Sequence, residues 1–224
     1  MAADDELPGS FPVVPDDDLD VFGAEDAAAR LSRRLAEIQP TPTRFDEAGR
    51  ARLTPPFNAA RDRVEGPPWA RTLVVFGAHA TPWSRHLADL LASVRDRYRT
   101  TVRVVWRHDP DPVTHPRAVI FALAAEAAAP HARFWALTRE LLRLRHFDPP
   151  DLHAAIVRAG LYGGDILDAM RAGAGSDRIA EDVASARASG VDAPPALFID
   201  GLRYTGELDR TPLWAAIDAG PRSE

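Results

Sequence analysis

Apolar positions along the chain follow two different periods. Leu73, Val74, Val75 and Phe76 form a continuous apolar run ended by Gly77, and TVRVVWR over 101–107 forms another. Short runs rich in β-branched and aromatic residues, closed by turn residues, predict strands. Between them Leu87, Leu90, Leu91, Val94 and Tyr98 recur at helical spacing, so two parallel strands joined by a right-handed helical crossover are expected. From Pro116 to about Ser189 the period stays helical, with breaks at Pro130, Asp148-Pro149-Pro150, Gly163-Gly164 and Gly173 to Gly175. A strand returns at Ala196 to Ile199, turns at Asp200-Gly201 and comes back through Leu202 to Tyr204, a pattern that marks a tight hairpin. A last helix is expected over Thr211 to Ala219, with Thr211 as cap and Pro212 at its first position. The predicted class is α/β, in the order βαβ, multi-helix insertion, ββα.

The front of the chain reads differently. Residues 1–23 hold Pro8, Pro12, Pro15 and Asp16-Asp17-Asp18 with few apolar residues, the composition of an acidic arm. Ala27, Ala28, Leu31, Leu35 and Ile38 then share one face of an amphipathic helix. The plainer reading packs this helix on the main domain; the sharper one makes arm and helix a docking element for a protein partner or a second copy. Six prolines between Pro40 and Pro68 mark a linker along the surface. The expected division is an arm over 1–23, helix and linker over 24–62, and a main domain over 63–220 with its insertion at about 116–189.

Composition narrows the chemistry. The chain has no cysteine, which rules out disulfide exchange, disulfide stapling and thiolate metal sites. Its net charge is −6, and its arginines are interspersed with acids rather than gathered in a basic block, so no nucleic-acid partner is expected. Met1 to Glu6 lacks the basic and apolar start of a secretory leader and no run is long enough to span a bilayer, which points to the cytoplasm.

Candidate chemistry gathers at Thr81-Pro82-Trp83-Ser84, between the first strand and its helix. Thr81 is expected to cap the helix and Pro82 to open it, so the loop would present free N–H groups and the positive end of a helix dipole. His79 and Trp83 are expected as walls of any pocket. His79 and His86 do not make a metal site, because their spacing sets them apart and no carboxylate completes a ligand set. Ser84, Ser93, Ser185 and Ser189 lack a nucleophile-elbow context, His115 reads as a helix-start residue, and Phe134 and Trp135 read as core.

Six stretches carry a family resemblance: LTPP (53–56), LVVFGAHATPWS (73–84), VVWRHDPDPVTHPRA (104–118), ARFW (132–135), EDVASARASGV (181–191) and PPALFIDGLRYTG (194–206). In this order they resemble the DsbA-like branch of the thioredoxin superfamily, especially the thioredoxin domain fused to NhaA-type sodium/proton antiporters. The resemblance implies a DsbA-like thioredoxin fold, places the two redox cysteines on Thr81 and Ser84, and puts the cis-proline on Pro195. Two hydroxyls there leave no dithiol chemistry, so the implied role is a non-redox binding or scaffold domain without a cofactor, linked to an antiporter by resemblance alone. The alternative resembles kappa-class glutathione transferases and related isomerases, with Thr81 holding the thiolate of glutathione or mycothiol. Pro194, which lacks an N–H, weakens any ligand or peptide pairing at that loop.

Overall fold

The computed structural model describes residues 24–220; the arm expected over 1–23 lies outside the described residues. At its centre β2 (Arg71–Gly77) runs parallel to β3 (Val102–His108), and α2 (Ser84–Arg97) joins them. β4 (Ala196–Ile199) pairs antiparallel to β2 on its other side, and β5 (Leu202–Arg203) closes the hairpin. Asp200 and Gly201 both take positive φ, 48° and 85°, the backbone a type I′ turn requires. The sheet order is β1-β3-β2-β4-β5, where β1 is the three-residue edge strand Arg63–Glu65, antiparallel to β3. Periodicity does not foretell β1: Arg-Val-Glu offers one apolar residue.

The unbroken apolar run of β2 is explained by burial on both faces. Leu73 and Val75 enter the larger core with α2 and the inserted helices, whereas Val74 and Phe76 enter a smaller one with Leu53, Val105, Ala186 and Phe198. The insertion comprises α3 (Pro116–Ala127), α4 (Phe134–Arg143), α5 (Pro149–Arg158), α6 (Gly163–Arg171) and α7 (Ser176–Ala188). α3 is apolar all round and buried from Ala118 to Ala127, as the central helix of the group. Asp148 caps α5 by accepting the Asp151 N–H at 3.0 Å. Gly163 and Gly164 open α6 rather than separate it from α5.

α1 (Glu25–Glu37) buries Ala27, Ala28, Leu31 and Leu35 against α3, α6 and α7, so its apolar face is covered by the same chain. The segment after it follows the sheet: Phe45 bridges Ala51, Arg52 bridges Leu202, and the Leu53 N–H donates to the Gly201 carbonyl at 2.9 Å. A buried ion pair holds this segment down. Arg107, fully buried on β3, donates to both oxygens of Asp62 at 2.9 and 3.0 Å and to the Ser185 hydroxyl at 2.7 Å. Ser189 accepts the Thr54 N–H at 2.8 Å, so both serines are ties between segments.

Two helix starts differ from expectation. α8 (Arg210–Ala219) is preceded by Asp209, which puts Thr211 and Pro212 in the first turn, where a missing N–H costs no helical hydrogen bond. α2 begins at Ser84, with Trp83 at the cap position, because a tight turn occupies the two preceding residues.

Candidate functional site

β2 ends at Gly77, and the chain turns through Ala78 to Trp83 before α2. The turn is closed from within: the Ser84 N–H donates to the Thr81 carbonyl at 3.1 Å, and the Thr81 N–H donates to Ser84 Oγ at 3.0 Å. Ser84 rather than Thr81 is thus the side chain that satisfies the backbone here, which corrects the expected cap. The two hydroxyls stand 3.2 Å apart, and Ser84 Oγ lies 3.4 Å from the Ala78 carbonyl. With Ser84 donating to that carbonyl, Thr81 donates to Ser84. Both residues are buried, and Ala80 beside them takes a left-handed φ of 57°, a conformation that costs an alanine about 1 kcal/mol.

The Pro194–Pro195 bond is cis, as the resemblance implies. Ala196 pairs with Phe76, so the sheet register sets Pro195 beside Gly77, at the foot of the turn. Trp83 is exposed and stacks edge-on to His86, whose ring bonds the Leu208 carbonyl. His79 lies beneath the corner: it is fully buried, stacked on Trp106 with ring centres 4.9 Å apart. Neither of its ring nitrogens has a hydrogen-bond partner among the described residues, and burial, reinforced by nearby His108, pushes its pKa well below the usual imidazole range.

A polar chain continues inward from there. Trp106 Nε1–H donates to His108 Nδ1 at 3.2 Å, which puts the His108 ring proton on Nε2, where it donates to Glu126 at 3.0 Å. Arg63 donates to the same carboxylate at 3.1 Å. Burial opposes the charge of Glu126, yet the His108 and Arg63 hydrogen bonds outweigh it and hold its pKa at about 2. Asp109, next along and half-buried, has no such donors among the described residues, and burial pushes it up to about 7. Its N–H donates to the Gly77 carbonyl at 2.9 Å, which places it at the corner too. Sequence reasoning missed this group, although Glu126, the one acid in the apolar run PRAVIFALAAEA, was a visible signal.

Beside the corner opens a cleft of about 450 Å³, lined among others by Thr81, Pro82, Arg85, His115, Arg117 and Arg145. Of the expected site residues only Thr81 and Pro82 face it; His79, Trp83, Ser84, Pro194 and Pro195 do not line it. The arginines come from α2, α3 and the turn after α4, a convergence that spacing along the chain does not reveal. Among the described residues no group of three or more His, Cys, Asp and Glu side chains could hold a metal ion, and no helix is long and apolar enough to cross a membrane.

No protein-family model matches the chain. A sodium/proton antiporter, NhaA 1 of Mycolicibacterium gilvum, is 34% identical over 175 residues, covering 75% of this chain and 28% of the antiporter. NhaA 3 of Salinispora tropica is 34% identical over 193 residues, 84% of this chain and 29% of that protein. The chain thus spans under a third of the length of these relatives. Among solved structures, BdbD of Bacillus subtilis in its oxidised form superposes with a TM-score of 0.65 at 13% identity, covering 75% of this chain and 97% of BdbD. ScsC of Proteus mirabilis does so at 0.60 and 18% identity, covering 72% of each chain. The chain accordingly has a DsbA-like thioredoxin fold, resembles part of the NhaA-type antiporters, and carries hydroxyls, with no cysteine anywhere, at its strand-to-helix corner.

Proposed function

We propose that this chain is a non-redox recognition domain, working with an NhaA-type sodium/proton antiporter whether the two share a chain or meet as separate ones. One observation carries the reading: in a chain without cysteine, the corner hydroxyls are buried and bonded to one another, 3.2 Å apart. An alcohol in that setting is no thiolate, and a Thr81 hydroxyl donating to Ser84 is not donating to a ligand's sulfur. The similarity to antiporters supports the choice of partner. The cytoplasm is the proposed compartment, to be checked by fractionation.

A second reading, a glutathione- or mycothiol-dependent transferase or isomerase, draws support from Thr81 lining the cleft. The two are separated by one pair of measurements. The recognition reading expects an NhaA-type antiporter in detergent to be retained by the immobilised domain, and no thermal shift with millimolar thiol. A thiol-induced rise in melting temperature that disappears in Thr81→Ala, with no antiporter retained, refutes it, since a ligand of the folded state stabilises by mass action.

A further inference from the structure

We propose that the cleft beside the corner binds a small molecule carrying two or more anionic groups, phosphates or carboxylates. The inference rests on the recognition reading and names the ligand class of the same region. Three guanidinium groups, Arg85, Arg117 and Arg145, line the cleft, with no carboxylate among the described residues that line it. Among the described residues none of the three enters an ion pair. Some arginines elsewhere, such as Arg61, Arg63, Arg107 and Arg178, are matched to acids, and others, such as Arg30 and Arg99, stand singly on the surface; what sets the cleft apart is that three converge on it. In a chain of net charge −6, uncompensated positive charge gathered around one concavity is a selective feature.

Chemistry and size agree. Guanidinium groups are planar forks suited to carboxylate and phosphate oxygens, and the Thr114 side chain adds a short polar group to the wall. Leu144 and Phe147 supply an apolar side, and α3, opening at Pro116, directs its N-terminus toward the same space. The volume of about 450 Å³ suits a small molecule. Arg117 is held in place by donating to the Phe147 carbonyl at 2.7 Å, whereas Arg85 and Arg145 are exposed and make no hydrogen bond among the described residues.

The test is titration calorimetry of the full chain with inorganic pyrophosphate and, separately, citrate, at low and at raised salt. Saturable binding by either probe is expected, weakened about tenfold or more by Arg85→Gln with Arg145→Gln, with the melting temperature kept. Arg30→Gln with Arg99→Gln, on exposed arginines outside the cleft, is expected to leave the affinity unchanged. No binding of either probe at millimolar concentration, or equal loss in the two double variants, overturns the proposal. Absent binding with antiporter retention intact overturns the cleft ligand and not the recognition reading. Anion binding in a protein that also shows Thr81-dependent thiol binding and retains no antiporter supports the cleft and overturns that reading.

Discussion

Placing cysteines at the corner tests whether a redox scaffold persists there. In a Thr81→Cys, Ser84→Cys double variant the sulfurs replace oxygens that stand 3.2 Å apart, and longer carbon–sulfur bonds with a small side-chain rotation bring them to the roughly 2 Å of a disulfide. Closing a four-residue loop favours the folded oxidised form by about 2 kcal/mol in the chain-entropy treatment. The sulfur at position 81 sits before the N-terminus of α2, so its thiol is expected to ionise below the ordinary value of about 8.5. Guanidinium unfolding of the oxidised and reduced forms measures the first effect; thiolate absorbance against pH measures the second. If oxidised glutathione produces no intramolecular disulfide in a variant that melts like the parent, the corner is not a latent dithiol site.

Other outcomes follow from the buried charges and the tight sheet. Asp109 has its pKa raised from 3.8 to about 7, so the folded state holds a proton that the unfolded state has lost. Its stabilising effect is therefore complete below the lower value and is lost as pH rises through the upper one, with a ceiling of about 4 kcal/mol reduced by partial exposure. Asp109→Asn is expected to match the parent near pH 4 and exceed its stability above pH 7; a difference that does not grow with pH in urea titrations refutes this. Asp62→Ala leaves Arg107 buried without its partner and should cost about 3 to 5 kcal/mol, read by chemical unfolding. Gly77→Ala would drive a methyl into the Trp106 ring, and a loss of about 1 to 3 kcal/mol or more is expected from its melting curve.

Much of the fold was legible because its signals are local. The runs at 73–76 and 102–106, the Asp200-Gly201 turn and the stripe on α1 each carry their own period or turn chemistry. The start of α2 was misplaced because Thr81-Pro82 has the residues of a cap, while the decision lay with the Ser84 side chain folding back onto the Thr81 N–H. At the site, Thr81 and Pro82 could be named in advance, yet Arg85, Arg117 and Arg145 could not: they stand 32 and 28 positions apart and meet only when α3 and α4 pack. Glu126 and His108 were hidden similarly, since a buried acid is recognised by its partners and not by its neighbours in sequence.

Pro194 carries a consequence for anyone installing dithiol chemistry in this scaffold. An extended polypeptide laid against the residues ahead of β4 meets two successive imino acids, and neither can offer it a main-chain proton. Sulfurs installed at the corner would therefore cycle with small oxidants more readily than with unfolded polypeptides, and accepting a polypeptide would take a third substitution at that doorstep.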